Sequence, residues 1–381
     1  MIDRVLLYNL STSAFPSYDN ATRIDLYFFL IAVEKFVHPS IIINIVISSI
    51  GIFTTSFHLF VLSRNSMLKS SVILIMIGIA ICDILVMFVS IIYNYLYLIL
   101  EFNVKPCEPP APLSFFYMYW INVVINDLFR RTSTWLSVVM ATIRLIVLKF
   151  STRRAFRKVN FPKFGFTLVI GTLLSSIPLT VIYYFRYDIV KIGDWKPMNN
   201  CTFATSYPES RVIFTLVQSK VYQANDGLVG KVYQLINGTI SKLFPCFLLP
   251  VLTYMLIVEL KKAKDHQRML NLTIRPVIIN ETQSVASTER TTGLVVFITA
   301  STFLIEVPNG IVRVLQFGYT DLGYWRMATS VAQFSSAFFV LHAALQGAIF
   351  FLMSSQYRRA VSKIFKNDRP PIIIAVSSSY T

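Results

Sequence analysis

The chain has 381 residues, 55% of them hydrophobic and only 14% charged. A soluble domain is about a quarter charged, so much of this chain lies where ionised groups are too costly to bury. The net charge of +16 would point to nucleic acid in a soluble protein, but its meaning depends on where the charges fall. Four scattered histidines and no C-x-x-C pair exclude a zinc constellation of the usual spacing. No nucleophile–base arrangement is visible, so neither an enzyme nor a cofactor is expected.

Residues 1–38 mix Asp3, Arg4, Asp19, Arg23, Asp25, Glu34 and Lys35 with apolar positions. That is not the basic end, apolar core and cleavage site of a signal peptide, so the first span is expected to act as the insertion signal. Asn9-Leu-Ser and Asn20-Ala-Thr are glycosylation acceptors, which suits an outer segment. Two further triplets, at Asn271 and Asn280, fall on the opposite side and carry no weight.

Crossing about 30 Å of hydrocarbon takes about 20 apolar residues in a helix. Seven stretches qualify: Ile41–Leu62, Ser71–Leu98, one within Phe115–Leu148, Phe164–Phe185, Val232–Leu260, Gly293–Phe317 and Met327–Met353. They lack the alternation of a membrane barrel. The expected fold is an all-α membrane protein, a seven-transmembrane-helix bundle over 39–353. An outer N-terminus covers 1–38. A short amphipathic helix and tail cover 354–381, where Tyr357, Val361, Ile364 and Phe365 share one face, as suits a helix on the inner leaflet. Ser377, Ser378, Ser379, Tyr380 and Thr381 are phosphorylation candidates in the tail.

Lysine and arginine sort to the cytoplasmic side of membrane proteins. With the N-terminus outside, the inner segments 63–70, 149–163, 259–292 and 354–381 hold 19 basic and 5 acidic residues. The outer segments hold 11 of each, and the rest lie within spans. The positive excess is therefore cytoplasmic or intramembrane, and the partner it implies is a lipid bilayer rather than nucleic acid. Cys107 and Cys201 fall in outer loops on the oxidising side, where they form a bridge or remain free thiols. Cys82 and Cys246 read as small buried hydrophobes.

Ionisable residues inside spans are functional candidates by default. Arg144, near the inner end of the third span, is a snorkelling interfacial arginine or a switch residue. Asp127, Arg130 and Arg131 lie about 20–25 Å above it at 1.5 Å per residue. Arg130 returns to within about 40° of the Arg144 face. Glu306, Asn309 and Arg313 form a stripe on the sixth span around Pro308. Gln234, Asn237 and Ser241 form one on the fifth, ahead of Lys242, Pro245 and Pro250. Polar packing between helices would also account for such stripes, but their convergence favours an outer pocket. With Arg130, Arg131, Lys242 and Arg313 against Asp127 and Glu306, that pocket is cationic and suits an anionic ligand group. Asp83, deep in the second span, is a structural polar contact or an ion site.

Several segments then match in order: Phe57-His-Leu, Ile77-Gly-Ile-Ala-Ile-Cys-Asp, and the third-span run from Arg130-Arg-Thr to Ile143-Arg144. Asn237-Gly-Thr-Ile-Ser-Lys leads on to Phe244-Pro-Cys-Phe-Leu-Leu-Pro, and Glu306-Val-Pro-Asn-Gly and Met353-Ser-Ser-Gln-Tyr-Arg follow. From about residue 40 to 366 the chain resembles rhodopsin-like G-protein-coupled receptors, and among them the nematode serpentine chemoreceptors of class W, relatives of FMRFamide-type neuropeptide receptors. The resemblance implies an extracellular peptide or small-molecule ligand, a heterotrimeric G protein as partner, and a plasma-membrane location. It implies that Arg144 contacts the G protein, that Cys107 is bridged to Cys201, that Pro308 is the hinge of the sixth span, and that Asp83 and Ser133 fall where relatives hold sodium. Departures are plain. Ile143 stands where an acid is usual, Thr55 near the usual first-span asparagine and Glu306 in place of a tryptophan. Gln346-Gly-Ala-Ile-Phe350 replaces Asn-Pro-x-x-Tyr, with His342 one turn earlier. A transporter or channel for a small anionic solute is the alternative, though paired broken helices in two repeated halves are not seen.

Overall fold

A computed structural model of the protein describes residues 4–65, 67–68, 70–102, 109–150, 158–196, 210–274 and 281–365, without the side chains of 4–8, 101–102, 264, 266–274, 281–298, 353, 355–356 and 365. Cys107, Cys201 and the tail beyond 365 lie outside the described residues. Two helices lead in, α1 (Arg4–Ala14) and α2 (Asn20–Glu34). The bundle follows as α3 (Val37–Leu62), α4 (Ser71–Phe102), α5 (Leu113–Lys149) and α6 (Pro162–Tyr184). A two-stranded hairpin, β1 (Tyr187–Trp195) and β2 (Arg211–Gln218), precedes α7 (Lys220–Ile236). That helix continues through a π-helical turn (Asn237–Leu243) into α8 (Phe244–Ile274), and α9 (Glu281–Gly318), α10 (Leu322–Met353) and α11 (Ser355–Phe365) complete the chain.

Six helical stretches are long and apolar enough to cross a membrane, judged on the described residues alone. They are 20–62, 71–100, 113–149, 162–184, 220–263 and 322–352. The seventh rod is α9, whose side chains are described only from Thr299 onward. The side chains sort as hydrocarbon demands. Phe53, Tyr254 and Leu304 point outward at 70–78% exposure, while Asn44, Asn94, Arg131 and Gln346 are buried. A soluble helix shows the reverse pattern.

Close backbone approach fixes some of these contacts. At Gly165 a Cβ would lie 2.5 Å from the Ser71 carbonyl oxygen and 2.9 Å from its Cα, so α6 crosses the start of α4 with no room for a side chain. A polar seam ties α3, α4 and α10. Asn44 donates to Ser336 Oγ (3.2 Å) and accepts from Ser48 (3.1 Å) and Ser90 (2.9 Å), and Asn94 donates to Ser90 (3.2 Å). In apolar surroundings such bonds cannot be exchanged for water, which makes them specific as well as stabilising.

The π turn has a local cause. Pro245 lacks the N–H that an α-helix would donate to the Ser241 carbonyl, and the ladder widens just upstream. Single-turn π segments of this kind recur at functional sites. At the other end of the same rod, Asn225, Asp226 and Gly227 take left-handed backbone angles (φ 51°, 54° and 75°) and break α7 sharply. Asn, Asp and Gly are the residues that tolerate this conformation.

Two further regions carry no clear signal in the amino-acid order. The segment read only as an outer N-terminus forms two helices, α1 and α2, the second of them capped. Asp19 caps α2 by accepting the Thr22 N–H (3.3 Å), and hydrogen bonding from the Thr22 side chain, with this backbone bond, holds its carboxyl below the usual carboxylate range. Phe15 is fully buried and edge-on to Tyr324 (5.5 Å). The Tyr18 and Tyr324 hydroxyls are 2.9 Å apart, and Arg326 grips Glu34 through two contacts of 2.8 and 2.7 Å. The antiparallel hairpin after α6, with a bulge between Lys191 and Gly193, adds a small sheet to an otherwise helical protein. Tyr187 stands edge-on to Trp120 (4.9 Å) and anchors it to α5.

Candidate functional site

Two connected hollows open between the bundle's predicted outer ends. The upper vestibule, about 610 Å³, is walled by Gln218 of β2, the 223–231 bend of α7, and Tyr319, Leu322 and Trp325. The chamber beneath it, about 290 Å³, lies among α4, α5, α6, α9 and α10. Arg186, Tyr187, Gln316 and Trp325 border both. Tyr93, Tyr119, Trp120, Tyr183, Tyr187 and Trp325 give the chamber an aromatic wall. Its charged groups are Arg130, Arg186, Lys242 and Arg313 against Asp127. Concave, mainly apolar sites with a few convergent polar groups are the usual form of a ligand pocket.

The cations differ in how they are held. Arg130 Nε lies 2.7 Å from Glu306 Oε1, and Lys242 Nζ lies 3.2 Å from Glu306 Oε2. Arg130 also bonds Ser335 Oγ, which donates to the Ile305 carbonyl (2.9 Å), and its guanidinium sits 5.1 Å over the Phe339 ring. Arg313 donates to Gln234 Oε1 (3.3 Å). Arg186 stacks on Tyr187 (5.2 Å) and Tyr183 (6.0 Å). Among the described residues neither Arg313 nor Arg186 forms an ion pair with a carboxylate.

Below the chamber a third, smaller hollow of about 20 Å³ brings together Asp83, Ser133, Glu306, His342 and Gln346. It is roomy enough for about one water molecule. Ser133 donates to Asp83 Oδ1 (2.7 Å), Ser301 Oγ lies 2.9 Å from His342 Nδ1, and Gln346 Oε1 is buried with no partner among the described residues. At the opposite end Arg144 is half-buried with Nη2 3.8 Å from Met76 Sδ. No carboxylate pairs with it among the described residues. Nearby, α11 is latched to the bundle. The Tyr357 hydroxyl meets His58 Nδ1 at 3.0 Å, and His58 stacks on Phe350 at 5.2 Å. Burial pushes the Tyr357 phenol up to about 12.

Residues 42–368 match the family model of the serpentine type 7TM GPCR chemoreceptor Srw. The chain belongs to this family. It is also similar to G-protein coupled receptor dmsr-1 of Caenorhabditis elegans, 23% identical over 368 residues that cover 89% of this chain and 71% of that protein. The Srw protein is thus a membrane-embedded G-protein-coupled receptor rather than an enzyme, and a transporter or channel finds no support in either comparison.

In this Srw receptor the residues expected to form one pocket separate into three groups. Asp127, Arg130, Lys242, Asn309 and Arg313 line the chamber. Arg131 does not. It is turned toward α6, where it bonds Asp127, the Ser176 carbonyl (3.2 Å) and Thr180 (3.4 Å). Successive helical residues point about 100° apart, so Arg130 and Arg131 cannot both face inward. Glu306 also stays off the chamber wall and sits beneath it, bordering the small hollow. Asp83, Ser133, His342 and Gln346 do share that hollow. Asn9 and Asn20 lie on α1 and α2 with exposed side chains.

Arg186 and Tyr187 gave no signal as part of a span, because they stand at the boundary between α6 and β1. The seating of the hairpin against α5 through Tyr187 and Trp120 brings them over the chamber.

Proposed function

We propose that this Srw receptor is activated from outside the cell by a ligand that carries an anionic group on an aromatic or apolar body, whether the end of a neuropeptide or a small chemosensory acid. The observation that carries this is the chamber itself, where four cations face one carboxylate inside an aromatic wall. Arg313 and Arg186 offer guanidinium groups that pair with no carboxylate among the described residues. In a low-dielectric site, each charge-assisted hydrogen bond to an incoming carboxylate contributes about 1.5–3 kcal/mol. The body of the ligand stacks on Trp120, Tyr183 and Tyr187, and a larger one extends past Trp325 into the vestibule.

The protein stands in the plasma membrane with 1–38 outside, the bundle over 39–353, and 354–381 in the cytoplasm. Asn9 and Asn20 carry glycans, and Cys107 and Cys201 form the outer bridge. Ligand binding favours one of two bundle arrangements by its differential affinity. The inner part of α9 swings about Pro308, which lacks the N–H for the Leu304 carbonyl. The crevice beside Arg144 then opens to a heterotrimeric G protein, which the basic inner segments attract. With Ile143 before it, Arg144 has no adjacent acid to hold it closed. The small hollow of Asp83, Ser133, His342 and Gln346 is a remnant of a sodium site, with His342 and Gln346 as its altered members.

The test uses aromatic carboxylates paired with their amides, 3-phenylpropionate and 3-phenylpropanamide first, on cells that express the receptor with a second-messenger readout. The acids are expected to signal at lower concentrations than the amides. Replacement of Arg313 or Arg186 by Gln, at equal surface expression, is expected to raise the half-maximal concentration by about 10- to 100-fold. Amides that equal their acids, acids that all fail, or variants with unchanged response would contradict the proposal.

A further inference from the structure

Arg130 and Lys242 have two faces. Both border the ligand chamber from below, and both are bound from beneath by the single carboxylate of Glu306, which borders only the hollow under the chamber. All three residues are buried, at 6%, 2% and 1% exposure. They come from three elements, α5, the π turn and α9. Two cations against one carboxylate leave an uncompensated positive charge in a region where charge is costly. A second anion arriving from above therefore meets cations that are only half neutralised.

The backbone brings this triad together. A Cβ on Gly310 would lie 2.8 Å from Leu243 Cγ and 3.1 Å from Lys242 Cβ, and one on Gly238 would lie 3.1 Å from the Gly310 carbonyl oxygen. Two facing glycines thus let the π turn ride against α9 one turn above Glu306, which lets the Lys242 stem descend to it. Arg130 holds the same stretch of α9 twice, through Glu306 and through Ser335, which donates to the Ile305 carbonyl. Both attachments fall just before Pro308, the point where the α9 backbone ladder is interrupted.

We propose that Glu306 is the resting counter-ion of Arg130 and Lys242, and that the anionic group of the ligand displaces it. In the resting receptor the triad clamps α9 to α5 and the π turn. When an anion from the chamber takes over Arg130 and Lys242, Glu306 loses its partners, the clamp opens, and α9 is free to move at Pro308. Glu306 touches no ligand in this scheme. It is a positioning residue whose charge sets both the resting state and the preference for an anion. The inference rests on the reading of the chamber as an anion-accepting ligand site.

The experiment measures ligand-independent G-protein activation by the full chain in cells, normalised to surface expression. Glu306→Gln keeps the shape and removes the charge, and basal activity is expected to rise by at least about fivefold. Glu306→Asp keeps the charge at greater distance and should fall between wild type and Gln. A purely structural role would give the opposite order, with the isosteric Gln mild and the shorter Asp more disturbed. Gln at or below the wild-type level, or Asp above Gln, overturns the proposal. If the Gln variant fails to reach the surface, Lys242→Gln in the same assay decides: a raised basal signal supports the clamp and an unchanged one overturns it. The exchange itself is read with 3-phenylpropionate and its amide. Without a competing carboxylate, the half-maximal concentration of the acid should fall further in Glu306→Gln than that of the amide, which follows only the raised basal population. Equal shifts of both overturn the exchange. Wild-type indifference between acid and amide would instead count against the anion-accepting chamber.

Discussion

Single side chains in this receptor are assigned by which way one helical step turns them. Arg130 and Arg131 are neighbours in the chain, yet one belongs to the chamber and the other to the α5–α6 contact. Charge and spacing were legible from the amino-acid order, but the direction of each arginine was not. It depends on which face α5 turns to each partner. Tyr357 shows a similar limit. Its place on the apolar face of a terminal helix was readable, whereas its hydrogen bond to His58, 299 residues away, was not. Tyr357→Phe keeps the ring packing and removes only that bond. It is expected to cost about 1 kcal/mol, visible as a melting temperature a few degrees lower in detergent. A variant that melts with the wild type would show that the His58 contact contributes nothing.

At the scale of elements, the spans are the readable part. Seven apolar stretches correspond to seven rods, with ends displaced by only a few residues except where α7 begins at Lys220, α8 runs on to Ile274 and α9 begins at Glu281. Three regions could not be read. Helices α1 and α2 are held by Phe15 and Tyr18 against Tyr324, contacts that cross about 300 residues of sequence. The hairpin depends on Trp120 to seat Tyr187. The π turn has the composition of an ordinary polar stripe, and only the widened ladder before Pro245 sets it apart. Close packing makes a sharper test within one helix. Gly165→Ala places a methyl against the Ser71 backbone, which cannot yield as a side chain would, and is expected to destabilise by about 1–3 kcal/mol. A Cβ added at Gly171, further along α6, would meet nothing within 4 Å. Gly171→Ala is therefore expected to be neutral or stabilising by about 0.5–1 kcal/mol, since alanine suits a helix better than glycine. Thermal unfolding of the two purified variants checks the pair, and equal effects would contradict the described α4–α6 contact.

The whole molecule is organised by charge. Its positive excess lies in the segments assigned to the cytoplasm and in the few cations sheltered within the bundle. Three of them, Arg130, Lys242 and Arg313, converge on the chamber between the helices. Orientation connects the two facts. Only if the basic segments face the cytoplasm does the aromatic, cationic chamber face the outside, where an extracellular ligand would enter. An epitope tag at each end of the chain, stained on intact and then on permeabilised cells, tests that orientation most directly. The N-terminal tag is expected to be reached on intact cells and the C-terminal tag only after permeabilisation. A C-terminal tag reached from outside, or two tags on the same side, would contradict the seven-span orientation and the chamber's outward face.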